Sequence, residues 1–123
     1  AAKYKKFVHY IELSACNLSC HQMSRILEEI RYCHYNIRNL NLSYNPLCLS
    51  ETQKDTQAYK YSKQFVNDLC EYIDAQDILN HLDISGLGLE RVDILRICDK
   101  IALSNFICAV HLNDNGIKFT DDH

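Results

Sequence analysis

His81, Asp83 and His111 are the residues of this sequence whose types and spacing come nearest to a chemical site. His81 and Asp83 stand two residues apart, which on an extended strand sends both side chains to one face. His111 follows Asp83 by 28 residues. Two imidazoles and a carboxylate could ligate zinc, or one imidazole and the carboxylate could work as an acid/base pair. Regularly spaced strand residues meet by geometry alone, however, and neither a nucleophile nor a cofactor loop accompanies these three. Ser14, Ser43 and Ser85 invite a hydrolase reading beside the histidines, yet they occupy one position of a repeat, which explains their alignment without catalysis. Gly86, Gly88 and Gly116 make no phosphate cradle. No catalytic, metal or cofactor residue is assigned, and the chain is not expected to be an enzyme.

The seven cysteines are Cys16, Cys20, Cys33, Cys48, Cys70, Cys98 and Cys108. Their odd number excludes a fully paired intramolecular set, and no two stand in the CxxC spacing of zinc ribbons and redox motifs. Reduced and mostly buried thiols follow, Cys16, Cys70 and Cys98 foremost, which predicts a cytoplasmic or nuclear compartment. A net charge of -3 and a pI near 6.0 give no basic footprint for nucleic acid. No apolar run approaches the roughly 18 residues of a membrane span, so membrane insertion is not expected.

What positions these side chains is a pattern that recurs four times, with apolar residues at the first, fourth, sixth and eleventh places and Asn or Cys at the ninth. The copies are Val8, Ile11, Leu13, Cys16, Leu18; Ile37, Leu40, Leu42, Asn45, Leu47; Leu79, Leu82, Ile84, Leu87, Leu89; and Ile107, Val110, Leu112, Asn115, Ile117. They start at 8, 37, 79 and 107, at intervals of 29, 42 and 28 residues. Alternate residues such as Leu40 and Leu42 face one side of a short strand and leave Asn39, Asn41 and Ser43 on the other. The ninth place falls where a short polar side chain can satisfy the backbone of a turn. Leu87 fills that place in the third copy, so its turn must be satisfied in another way.

Between the strands the period becomes helical: Met23, Ile26, Leu27, Ile30; then Val66, Leu69, Cys70, Ile73; then Ile94, Ile97, Cys98, Ile101. Ser19 with Gln22, and Ser50 with Gln53, are candidate capping boxes at helix starts. Strands too short to bury their faces alone predict a stack with a shared apolar interior. The alternating 28- and 29-residue period with its Cys/Asn place resembles the cysteine-containing, ribonuclease-inhibitor-like class of leucine-rich repeats, over roughly residues 7 to 118. The resemblance implies an α/β fold, a right-handed solenoid of about four strand-turn-helix repeats, with a parallel sheet on the concave face and helices outside. Residues 1–123 would form one such domain. A fold of this kind identifies no function by itself.

Partner recognition is expected on the outward columns of the sheet, since a curved solenoid offers an extended surface there. One column reads Tyr10, Asn39, His81, Ala109 and the next Glu12, Asn41, Asp83, His111. Beyond them come Ser14, Ser43, Ser85, Asn113, and then Ala15, Tyr44, Gly86, Asp114. Asp83 and His111 should be neighbours with His81 diagonal to them. Tyr10, Glu12, Asn39, Asn41, Tyr44, His81, Asp83, His111, Asn113 and Asp114 are therefore candidate partner-binding residues, with aromatic anchors among hydrogen-bonding groups.

The long interval carries an insertion at about residues 48–61, polar and rich in lysine and tyrosine, and insertions into repeats map to loops that often bind. Tyr59, Lys60 and Tyr61 are its candidates. The expected function is an intracellular scaffold binding a protein through the concave sheet or this loop. Alternatives are a regulator of a small GTPase, since the repeat class includes an activator of the Ran GTPase, and a spacer between other domains. Neither end of the pattern has a polar cap, because Val8, Ile11 and Leu13 begin it at once and Ile117 is close to the last residue. A piece of a longer protein is the expectation, its open sheet edges covered by flanking repeats or domains, or by self-association.

Overall fold

The elements of the chain follow from a computed structural model that describes residues 9–32, 37–49, 52, 54–76, 78–104 and 106–115. In chain order they are β1 (Tyr10–Glu12), α1 (Cys20–Tyr32), β2 (Asn39–Asn41), α2 (Gln57–Ala75), β3 (His81–Asp83), α3 (Arg91–Leu103) and β4 (Ala109–His111). The four strands form one parallel sheet in the order β1-β2-β3-β4, and the fold is α/β. Parallel neighbours need a crossover, and each helix supplies one. Tyr10, Asn39, His81 and Ala109 stand in register across the sheet, as do Glu12, Asn41, Asp83 and His111.

Between these rows lie Ile11, Leu40, Leu82 and Val110, which point to the helices. Leu40 and Leu82, on the central strands, are buried, whereas Ile11 on an edge strand is only partly covered. Met23, Leu27 and Ile30 of α1, Phe65, Val66, Leu69, Cys70, Tyr72 and Ile73 of α2, and Ile94 and Ile97 of α3 complete the core. These helix residues recur every three or four positions, so each helix buries one face and leaves the other to solvent. Truncating a fully buried leucine such as Leu82 to alanine would cost about 2–5 kcal/mol. Among the described residues, no helix is long and apolar enough to cross a membrane.

The turns after the strands are held by two asparagines in the ninth place of the pattern. Buried Asn45 accepts from the backbone N–H groups of Cys16 (3.2 Å) and Leu18 (2.9 Å) with Oδ1. Its Nδ2 donates to the carbonyls of Leu13, Leu42 and Ser43. Asn115 repeats the arrangement, accepting from Leu87 and Leu89 and donating to the carbonyls of Ile84, Leu112 and Asn113. Each asparagine thus serves its own turn and the preceding one. That is how the third turn is satisfied despite Leu87, whose own carbonyl accepts from the N–H of Leu47 at 2.8 Å.

Helix starts differ from one another. Ser19 and Gln22 form the reciprocal capping box at α1, with Ser19 N–H donating to Gln22 Oε1 (2.9 Å) and Gln22 N–H to Ser19 Oγ (3.1 Å). At α2 the cap is Thr56, whose hydroxyl accepts from the N–H of Tyr59. Ser50 and Gln53 lie outside the described residues, as do Val8, Cys33, Gly116 and Ile117. The insertion is therefore not wholly a loop. Its last five residues, 57–61, are helical, and α2 runs to 19 residues where α1 and α3 have 13.

Candidate functional site

The outward face of the sheet is built by strand alternation, and the turns that follow extend it. Ala15, Tyr44, Gly86 and Asp114 occupy the same place after successive strands and share a left-handed backbone, with φ of 53°, 56°, 65° and 56°. Glycine adopts this conformation freely; the other three carry a modest strain to keep the turn. Gly86 has a second reason to lack a side chain. The ring of Tyr44 lies across it, and a Cβ there would stand 2.3 Å from Tyr44 Cδ1.

Hydrogen bonds order much of this face. Tyr10 donates its hydroxyl to Glu12 Oε2 at 2.6 Å, and Asn41 Nδ2 donates to Glu12 Oε1 at 3.1 Å. The Glu12 carboxylate holds the Tyr10 phenol above its ordinary value, so the phenol remains a donor. Tyr44 makes the same kind of bond to Asp114 Oδ2 at 2.7 Å, and that bond raises its phenol likewise. Asn41 Oδ1 accepts from the N–H and hydroxyl of Ser43. The hydroxyls of Ser14 and Ser43 are 2.8 Å apart. Ser85 accepts from the N–H of Asn113. These contacts occupy the serines within the turn.

His81, Asp83 and His111 do come together, but through the diagonal rather than the direct contact. The rings of His81 and His111 stack with centroids 4.8 Å apart and planes inclined by 27°. Asp83 Oδ1 accepts instead from the N–H of Ser85 at 3.0 Å. Among the described residues, no group of three or more His, Cys, Asp and Glu side chains is arranged to hold a metal ion. Tyr10, Asn39, Leu40, Asn41, His81 and Asp83 line a cavity of about 100 Å³ on this face. Asn113 and Asp114 are exposed in the turn after β4.

The insertion candidates lie in the first turns of α2 and not on a loop. Tyr59 donates to Glu90 Oε1 at 3.0 Å, and Tyr61 packs against the ring of His21 at 5.4 Å. Lys60 is exposed. Tyr59 is half-buried by its contacts, whereas Tyr61 stays exposed. Beside Tyr59 sits a cluster the sequence reading passes over: Lys63 Nζ lies 2.6 Å from Glu90 and 2.8 Å from Asp93, a carboxylate only 1% exposed. The signal was present. Asp93 precedes Ile97 by four residues and so interrupts the inward apolar face of α3 with a charge that needs a partner.

The cysteines divide by position. Cys70 is buried, and burial pushes its thiol up, away from the reactive thiolate. Cys98 is half-buried. Cys16, expected in the interior, is exposed: it stands in the turn after β1, at the edge of the sheet, where no described element covers it. Among the described cysteines, Cys16, Cys20, Cys70, Cys98 and Cys108 are free thiols.

Comparison with protein-family models, curated proteins and solved structures finds no match to this chain.

Proposed function

We propose that this chain is a leucine-rich-repeat solenoid of the cysteine-containing, ribonuclease-inhibitor-like class, and that it acts as a scaffold, holding a protein partner on the concave side of its sheet. The observation that carries this reading is the register of the parallel strands. It gathers Tyr10, Glu12, Asn39, Asn41, His81, Asp83 and His111 from four separate segments into one face free of described helices. Such a face combines exposed aromatic rings with polar groups already oriented by hydrogen bonds, the combination that suits recognition with little ordering cost. The asparagine-held turns and the 28- and 29-residue intervals support the repeat class. Free thiols support a reducing compartment, cytoplasm or nucleus. Tyr59 is half-buried and bonded to Glu90, and Tyr61 lies against His21 while remaining exposed, so of the two only Tyr61 offers an open ring on α2.

A photo-cross-linking amino acid placed at Ala109, on the outward row, tests the reading. It should trap a discrete protein partner in cells, while the same group at Val92 on α3 should not. Reversing the charges of Glu12 and Asp83 together should abolish the adduct with the far-ultraviolet spectrum unchanged. Equal trapping from both positions, or an adduct indifferent to the reversal, would refute it.

A further inference from the structure

The small cavity on the sheet has walls of unusual composition. Tyr10 and His81 stand in one row on either side of Asn39, so two aromatic rings flank a short residue. Strands two apart are separated by about 9.6 Å, and a planar group between two rings needs about 7–8 Å, so the rings would lean inward onto a group that enters. His111 stacks against His81 from the β4 side. On the other wall the hydroxyl of Tyr10 is tied to Glu12, which Asn41 holds in turn. Each wall is therefore tied to a neighbouring side chain before anything enters the cleft.

Its charge is as selective as its shape. Asp83 lines the cavity with one oxygen engaged by the N–H of Ser85, and among the described residues its Oδ2 has no partner. Glu12 adds a second carboxylate at the rim and Asp114 a third farther along the face, whereas the four outward rows contain no lysine or arginine. Arg38 stands one residue before β2, outside those rows. A flat cation satisfies both features. A guanidinium stacks on aromatic faces and meets a carboxylate with paired N–H groups, while an ammonium is compact, strongly hydrated and does not stack.

We infer that this cavity is the seat of an arginine side chain from the partner protein, its guanidinium between Tyr10 and His81 and hydrogen-bonded to Asp83. The inference rests on the sheet face being the binding surface and adds the chemistry of what binds there.

The test uses the full chain and three blocked tripeptides, glycine-X-glycine with X arginine, lysine or citrulline, followed by ¹H–¹⁵N correlation spectroscopy. The arginine peptide should shift the amides of Asn39, Asn41, His81 and Asp83 saturably. The lysine peptide should bind about tenfold more weakly and the uncharged citrulline peptide should leave the spectrum unmoved. Asp83→Asn keeps an acceptor for the Ser85 N–H, and should weaken the arginine peptide about tenfold with the remaining spectrum retained. Tyr10→Ala removes one wall without touching Asp83, and should weaken it about three- to fivefold. Equal binding of the arginine and lysine peptides, indifference to Asp83→Asn, or shifts confined to other surfaces would overturn the assignment. If the Ala109 cross-linker traps a partner while the arginine peptide moves none of these amides, the guanidinium seat falls and the sheet face stands. If both fail, the proposed function falls with it.

Discussion

The hydroxyl of Tyr44 donates to Oδ2 of Asp114 at 2.7 Å, joining the turn after β2 to the turn after β4 across 70 residues of sequence. The ring reaches that far by lying over Gly86, in the turn between them. One side chain thereby spans three turns in the left-handed places of the pattern, and it does so only because the middle place has no Cβ.

Gly86→Ala should therefore destabilise the fold by about 2–4 kcal/mol, combining the cost of a left-handed alanine with displacement of the Tyr44 ring. Tyr44→Phe, which loses one exposed hydrogen bond, should cost less than about 1 kcal/mol. The double variant Tyr44→Ala/Gly86→Ala separates the terms. Its urea midpoint should lie above that expected from adding the single changes, because the clash no longer exists once the ring is gone. Strict additivity would show that ring and glycine do not compete for the same space.

Asn45 is fully buried and makes five hydrogen bonds to backbone groups of its own turn and the preceding one. Asn45→Ala leaves the N–H groups of Cys16 and Leu18 without this acceptor and should cost about 3 kcal/mol or more. Hydrogen exchange should report the loss locally, with the amides of Cys16 and Leu18 exchanging faster while that of Leu89, held by Asn115, stays protected until global unfolding.

The strands and their register were legible because period-two alternation and a fixed interval place Tyr10, Asn39 and His81 in one row without knowledge of anything between them. The inward helix faces were legible for the same reason at period 3.6, down to Val66, Leu69, Cys70 and Ile73, all buried. The start of α2 was not. A polar run such as Thr56 to Tyr61 has little apolar period, and its helicity follows from the Thr56 cap and the contacts of Tyr59 and Tyr61 with Glu90 and His21. Exposure of Cys16 was also beyond the pattern, since a repeat position predicts burial between neighbours and, among the described residues, β1 has a strand on one side only. On the candidate face the rows could be written down in advance. Which partner each side chain chose, as when Asp83 bonded Ser85 and left His111 to stack on His81, depends on rotamers that spacing does not encode.

Tyr72 is 0% exposed, and among the described residues its hydroxyl has no hydrogen-bond partner. Burial pushes its phenol far above the ordinary range, so the group is neutral at any pH at which the protein is handled. Desolvating that oxygen with no bond from the described residues costs about 1–3 kcal/mol. Tyr72→Phe keeps the ring and removes that cost. Its thermal midpoint should equal or exceed the wild type, and a fall of several degrees would reveal a polar contact at that oxygen.

The Lys63 cluster sets the pH response of the helical layer. Its hydrogen bond with Lys63 holds the Glu90 carboxyl below its ordinary 4.5, against the opposing effect of burial and with help from the Tyr59 hydroxyl. A carboxyl depressed in the folded state stabilises above its unfolded pKa, and that contribution disappears as pH falls through the lower folded value. Burial works against the charge on Lys63, but the bonds to Asp93 and Glu90 outweigh it and raise the ammonium above 10.5. Its contribution is complete below 10.5 and is lost only as pH rises through the higher folded value. Glu90→Gln should therefore lower the thermal midpoint at neutral pH and flatten the acid limb, so that variant and wild type converge as pH falls through the lowered folded value of Glu90. Lys63→Met is the harsher change, because it strands Asp93 as a buried carboxylate and should cost about 3 kcal/mol. Adding Asp93→Asn to that variant removes the stranded charge and should recover part of the loss. A double variant no more stable than Lys63→Met alone would mean that Asp93 does not depend on Lys63 for its place in the core.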